Sequence, residues 1–317
     1  MTRYFEHVLA YLHSRYLRPA CQWNALWRPE ITLCAWERRY GVPLPSRSDT
    51  GRRVYALREI EKLKILKLLT DNGHSIGEIA HLELSKLNAL IKQSIANSAT
   101  TQTVLRLIAA TAECDLAKLS ALLKTAQLEN DTRTLLVEII SPTLAEIGRK
   151  VIDGELDVYH EHAASSVIRN LLSGILYSIE QLPDKNETKT IILATPEGEH
   201  HEFGVLISAI LTALRGNKVL YLGPNMPATS LARAIRNVNA AVAVIGCSAP
   251  HEALSTSRYK EFVNQLSAEV DTSVPFWFGG FRNEDIDKLS CLTKRDVVFM
   301  NRYQDLERAL RELSKSP

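Results

Sequence analysis

The chain has 317 residues, of which 45% are hydrophobic and 23% charged, and its formal net charge at pH 7 is +2. That length is more than one small core fills, so a single small domain is excluded, and with no run of 18 apolar residues a membrane-spanning helix is excluded too. The cysteines (Cys21, Cys34, Cys114, Cys247, Cys291) are scattered without a Cys-x-x-Cys pair, and Met-Thr-Arg-Tyr-Phe-Glu-His opens the chain with no secretory apolar stretch ahead of its first charges; a reducing cytoplasm is the expected setting.

Residues 1–28 form an N-terminal segment with no readable periodicity, interrupted by Arg18-Pro19. A first domain is expected over 29–100. It begins with a short helix through Leu33 to Tyr40, stopped by Gly41 and Pro43, and continues into a turn-rich basic stretch from Pro45 to Tyr55 that reads as a small hairpin or wing. Ile60, Leu63, Leu66 and Leu69 recur at helical spacing up to Asn72-Gly73, Ser75-Ile76-Gly77-Glu78 has the pattern of a capping box, and Leu84, Leu87, Leu90 and Ile91 mark a further helix. Charge is clustered here. Between Cys34 and Leu68 stand Arg38, Arg39, Arg47, Arg52, Arg53, Arg58, Lys62, Lys64 and Lys67 against Glu37, Asp49, Glu59 and Glu61, so this window carries a net +5 and the remainder of the chain is mildly acidic. One part suited to phosphates beside another with a different task is the expected arrangement.

Residues 103–182 contain nothing strand-like and read as a four-helix bundle, with Asp115 and Asp131 placed to cap and a long apolar stripe through Val158, Ile168, Leu172, Ile175 and Ile179. Leu182-Pro183-Asp184-Lys185-Asn186 closes it as a linker. From 188 to 317 the pattern alternates strand and helix, with strands expected at Thr190–Leu193, Val219–Leu222, Ala241–Ile245, Val274–Phe278 and Val297–Met300. The expected fold class is therefore multidomain α and α/β: a winged helix-turn-helix, a four-helix bundle, and a flavodoxin-like, five-stranded parallel Rossmann-type domain of strand order 2-1-3-4-5.

In such a sheet ligands sit at the carboxyl ends of the strands, by the switch point between the first and third. There the chain has Thr195 to Gly204, with His200 and His201, then Gly246-Cys247-Ser248-Ala249-Pro250, and Gly279-Gly280-Phe281. A receiver domain is excluded by Ala194-Thr195 and Gly246-Cys247 where acidic residues would stand, and no GxGxxG or GxxxxGK pattern supports a nucleotide site. The small residues suit a shallow cradle for a large flat cofactor. Phe276 and Trp277 read as core, and His160, His162, His200 and His201 remain open as an alternative metal set.

Glu199-x-His201-x-x-Gly204, followed by Ser248 and by Gly279-Gly280, resembles the cobalamin-binding domain of methionine synthase and its relatives, over about 130 residues. The resemblance implies cobalamin (adenosylcobalamin or methylcobalamin) as cofactor, His201 as lower cobalt ligand, Glu199 as the acid that orients it, and Gly204, Ser248, Gly279 and Gly280 around the nucleotide tail. Pro250 departs from the Ser-x-Leu form of the second element. Gly148 to His162 resembles the helical cap of light-responsive, adenosylcobalamin-dependent repressors of the CarH and LitR kind, whose Trp-x9-Glu-His pattern covers the upper corrin face. Glu161 and His162 match it, Val151 stands at the Trp, and Ile152 stands where those proteins carry a neighbouring His that ligates cobalt after photolysis. A bis-histidine photoproduct through that position is excluded, leaving His160 or His162 as substitutes. Glu161 alternatively pairs with Arg149 or Lys150.

Leu33 to Pro43, the wing Arg47 to Tyr55, and Ser75 to Ala80 resemble the MerR family of dimeric transcriptional regulators. By resemblance Arg38, Arg39 and Tyr40 come from the recognition helix and Arg52, Arg53 and Tyr55 from a wing that grips the backbone, guanidinium groups suiting both phosphate and guanine. Cys34 replaces the family's usual Arg. Together these resemblances imply a non-enzymatic, double-stranded-DNA-binding regulator, a repressor, acting as a dimer or tetramer under control of a cobalamin held between helical cap and α/β domain. The alternatives are a corrinoid carrier or methyltransferase component, and a MerR-type regulator whose cobalamin-like domain no longer binds cofactor.

Overall fold

The computed structural model describes residues 30–44, 46–47, 53–54, 57–71, 74–96, 98–181, 189–247, 257–280 and 295–314. The chain divides into two compact units, Met1–Leu105 and Arg106–Pro317. Within the described residues no helix is long and apolar enough to cross a membrane.

The first unit opens with α1 (Glu30–Tyr40). Gly41 ends it in the left-handed region at φ 65°, its N–H donating to Glu37 O at 3.0 Å, a conformation that only glycine adopts without strain. A short antiparallel pair follows, β1 (Ser46–Arg47) against β2 (Arg53–Val54), with Ser46 opposite Val54 and Arg47 opposite Arg53, as expected of a wing. Helices α2 (Leu57–Asp71), α3 (Ile76–Ile79) and α4 (Leu84–Ala96) follow. They bury Ile65, Leu66, Leu69, Ile79, Leu87 and Ile91, with Trp36 and Tyr40 of α1 packed on the same core. The expected capping box at Ser75 does not form: Ser75 is the N-cap of α3 but makes no side-chain cap bond, and the Glu78 N–H that its hydroxyl would serve donates instead to the Ser75 carbonyl at 3.1 Å.

From α5, within which the division at residue 105 falls, the chain continues as a helical bundle: α5 (Ala99–Ala112), α6 (Leu116–Glu129), α7 (Thr132–Thr134), a π-helical stretch (Leu135–Ile140), α8 (Ser141–Ile152) and α9 (Val158–Glu180). Asp115 and Asp131 cap as their positions predict, accepting from Lys118 N at 2.9 Å and Thr134 N at 3.0 Å. In the π stretch Ser141 N–H donates to Leu136 O, five residues back. Pro142 follows at once, with no N–H to continue the ladder, and the widened turn lies where that loss must be absorbed. The apolar stripe of α9 is real from Ile168 through Leu172 and Ile175, but Val158, the first residue of α9, is 52% exposed.

The α/β half contains β3 (Thr190–Pro196), α10 (Phe203–Leu214), β4 (Lys218–Met226), α11 (Ala228–Asn237), β5 (Val242–Gly246), α12 (Ser257–Glu269), β6 (Phe276–Gly279), β7 (Val297–Met300) and α13 (Tyr303–Leu313). The strands form one parallel sheet in the order β4-β3-β5-β6-β7, the expected 2-1-3-4-5. Strand alternation sorts the core. Ile192, Ala243, Ile245, Phe276 and Phe278 pack with Leu231 and Ile235 of α11 and Phe262, Val263 and Leu266 of α12. Helix α10 is apolar on every side, with Val205, Leu206, Ile207, Ala209, Ile210 and Leu211 all buried, and a helix of that kind needs cover on both faces. The sheet supplies one and α9 of the bundle the other.

Arg295 locks the end of α12. Its guanidinium donates to the carbonyls of Ser267 and Val270, both at 2.9 Å, and of Asp271 and Val274 at 2.9 and 3.1 Å, and its Cζ lies 4.0 Å from the Phe276 ring centroid. A cation over helix carbonyls is favoured by their aligned dipoles.

Candidate functional site

At the carboxyl end of β3 the chain turns through Glu197 and Gly198 before α10 begins. Thr195 Oγ1 donates to Glu199 O at 2.6 Å and accepts from Asn225 N at 3.0 Å; Asn225 Oδ1 accepts from Gly198 N at 2.8 Å. Asn225, in the left-handed region at φ 58°, thus ties the end of β4 to this turn. The result is a fixed main chain at Glu199, whose side chain is only 11% exposed while that of His201 is 69% exposed.

Glu199 Oε1 meets both His201 N at 2.8 Å and His201 Nδ1 at 2.7 Å. A carboxylate on Nδ1 selects the tautomer with a lone pair on Nε2, which is the arrangement of a metal-ligating imidazole. The other carboxylate oxygen accepts from Cys247 Sγ at 3.8 Å, at the end of β5. Burial pushes the nearby Tyr259 hydroxyl well above the ordinary phenol range, with Cys247 and Glu199 adding in the same direction.

Beside this group lies a cavity of about 270 Å³. Its lining brings together His201, Gly204, Gly279 and Gly280 of the expected set, with Val205 and Ser208 of α10, Cys247, the segment 300–303 after β7, and Ser141 from the bundle. Glycine is required at two places. A Cβ on Gly280, at φ 84°, would fall 1.7 Å from Cys247 O, and one on Gly246 would fall 2.0 Å from Val205 Cγ2. Those two clashes are with the protein's own Cys247 and Val205, so Gly246 and Gly280 let the strand ends close up, whereas at Gly204 nothing, and at Gly279 only Met300 O at 4.0 Å, would meet an added Cβ. The cavity is open at these two glycines and His201 stands at its edge: the donor set and the cradle both fit a cobalamin. Ser248 lies outside the described residues.

The bundle residues are placed apart from that lining. Val151 is half-buried near the end of α8, Glu161 is half-buried in the first turn of α9, and His162 is exposed. The alternative pairing of Glu161 is not seen, because Arg149 reaches Glu146, Asp153 and Glu155, and Lys150 reaches Glu155. His160 has a structural role that the sequence did not announce: its Nδ1 accepts from Asp157 N at 3.1 Å in a reciprocal capping box, and its ring stacks on Tyr159 at 3.9 Å between centroids. Among the described residues no three His, Cys, Asp or Glu side chains converge as a metal cluster.

On the first unit Arg38 and Arg39 are exposed in the last turn of α1, side by side in the chain. Tyr40 is half-buried instead, packed on the core, and Gly77 lies against its ring, where a Cβ would stand 3.6 Å from Tyr40 Cε1. Arg53 lies in β2, while Arg52 and Tyr55 fall outside the described residues.

Comparison with known proteins bears on both parts. A model of the family described as "MerR HTH family regulatory protein" matches residues 29–86, and one described as "B12 binding domain" matches residues 104–174, from α5 into α9. The HTH-type transcriptional repressor CarH of Myxococcus xanthus is 29% identical over 254 residues, spanning 78% of this chain and 82% of CarH. The HTH-type transcriptional repressor CarA of the same organism is 30% identical over 230 residues, spanning 70% of this chain and 74% of CarA. The chain belongs to the MerR family of transcriptional regulators that carry a cobalamin-binding domain. Over 68% of its length this MerR-family regulator shares its fold with the whole of the monomethylamine corrinoid protein of Methanosarcina barkeri, at a TM-score of 0.54 and 17% identity. Three further residues fix Glu199: Thr195 and Cys247, which the sequence places at strand ends without a role, and Asn225, which it does not single out.

Proposed function

We propose that this MerR-family regulator is a cytoplasmic repressor whose grip on double-stranded DNA is set by a cobalamin bound to its second unit, acting as a dimer or tetramer and not as an enzyme. The working parts of the reading are residues 29–100 for DNA, the bundle 103–182 as cap, and the α/β half 188–317 as base. The observation that carries the reading is the pairing of Glu199 with His201 Nδ1 at 2.7 Å beside a glycine-lined cavity.

In this reading His201 Nε2 holds the cobalt, Glu199 fixes the ring, and Gly204, Ser248, Gly279 and Gly280 leave room for the nucleotide tail. Val151, Glu161 and His162 form the cap above. Adenosylcobalamin or methylcobalamin, when bound, supplies a cobalt–carbon bond that light or loss of ligand can change. Arg38 and Arg39, exposed on α1, face base edges or phosphate, with Tyr40 holding the helix on its core and Arg52, Arg53 and Tyr55 gripping the flanking backbone. Any preference of the cofactor for one oligomeric arrangement then changes the spacing of the DNA-reading helices, and the coupling is reciprocal.

The test is the visible spectrum of the purified protein mixed with adenosylcobalamin in the dark, desalted, and then illuminated, beside His201→Ala. Retained corrin absorbance that the variant loses or alters supports the reading, whereas a colourless wild-type protein overturns it. Mobility shifts at two salt concentrations separate the regulator, whose affinity falls steeply with salt, from a corrinoid carrier, which would not bind DNA.

A further inference from the structure

Glu202 follows His201 directly, and its side chain is only 12% exposed. It occupies the N-cap of α10 yet makes no side-chain cap bond. Its carboxylate turns to two other elements instead. One oxygen accepts from Nε of Arg169 on α9 of the bundle, and the other accepts from the Tyr221 hydroxyl on β4 at 2.6 Å. Burial pushes the Tyr221 hydroxyl far above the ordinary phenol range, and the bond to Glu202 adds to that. The Arg169 guanidinium also lies 5.6 Å from the Phe203 ring centroid. Bundle, sheet and α10 therefore meet at the residue beside the cobalt ligand proposed above.

Resting on that cobalamin reading, we propose that Arg169 is a positioning residue that couples the His201 turn to the helical bundle. His201 is held from two sides: Glu199 fixes its ring and its N–H, while Glu202 fixes the next residue to α9 and β4. Arg169 is the bundle's half of this junction. A charge-assisted bond to a shielded carboxylate is stronger than an exposed pair, so the turn and α9 cannot separate without losing it. Among the described residues a second ion pair between the bundle and the α/β half, Arg133 with Glu307, reaches α13 and leaves the turn untouched. Ligation at His201 and the seating of α9 thus share one contact, and each biases the other.

Hydrogen exchange of the full chain, with and without hydroxocobalamin, tests this in wild type, Arg169→Met, Arg169→Lys and Tyr221→Phe. In the apo protein Arg169→Met is expected to speed exchange at residues 198–203 about tenfold, as loss of a bond to a charged group implies, with Arg169→Lys and Tyr221→Phe intermediate. With hydroxocobalamin, wild type gains protection both in the turn and in α9, while Arg169→Met gains it in the turn alone. Equal exchange of the apo turn in wild type and Arg169→Met overturns the proposal, as does equal protection of α9 on loading. A wild type that binds no corrinoid refutes the cobalamin reading, and the apo comparison still decides whether Arg169 holds the turn.

Discussion

The main-chain N–H and the ring Nδ1 of His201 converge on a single oxygen of Glu199, at 2.8 and 2.7 Å. One buried carboxylate thus fixes both the backbone and the tautomer of an exposed imidazole. Glu199→Gln keeps the volume and loses the charge, so corrinoid affinity is expected to fall by about 10- to 100-fold, the usual cost of removing such a support. Absorbance titration with hydroxocobalamin measures this, and an unchanged affinity would show that the carboxylate does not support a ligand.

Two adjacent glycines give a paired prediction. Gly280→Ala places a methyl group against Cys247 O in a backbone conformation that already disfavours side chains, so a loss of about 1–3 kcal/mol is expected from strain and overpacking. For Gly279 the nearest atom to an added Cβ is Met300 O at 4.0 Å, and Gly279→Ala is expected to be nearly neutral. Urea unfolding midpoints of the two variants should therefore separate clearly. Similar midpoints would mean that the strand ends yield more easily than their geometry indicates.

A pH effect follows from Glu307, whose side chain is 8% exposed and faces Arg133 at 2.7 Å and Arg215 at 3.6 Å. Burial works to raise its pKa, but the two guanidinium groups outweigh that and hold it below its ordinary 4.5. A carboxyl depressed on folding contributes stability that is complete above the unfolded value and is lost as pH falls through the folded one. The melting temperature of wild type should drop below about pH 4.5, and Glu307→Gln should be less stable at neutral pH with a shallower acid limb. Thermal melts from pH 7 to pH 3 check both, and an identical acid limb in the variant would assign the effect to other carboxyls.

The sheet was legible because each strand is an apolar run bounded by turn residues, and the parallel order follows once helices separate the strands. Glu199 and His201 were legible because their relation is local, two residues apart in one turn. What escaped were relations between distant residues. Arg169 meets Glu202 across 33 residues and Tyr221 meets Glu202 across 19, and neither spacing leaves a periodic mark. Periodicity also misled at Val158, which keeps the helical spacing of the stripe and is nevertheless exposed.

The π-helical turn over Leu135–Ile140 acts as a phase shift in the helix that carries it. One extra residue in a turn rotates all that follows by about 100° about the axis. The Glu146–Arg149 pair and Val151 therefore look in directions that an unbroken α-helix would assign to their neighbours. A one-residue deletion in that stretch would leave the composition of the bundle nearly unchanged while turning a different side chain toward the face where Val151 now stands.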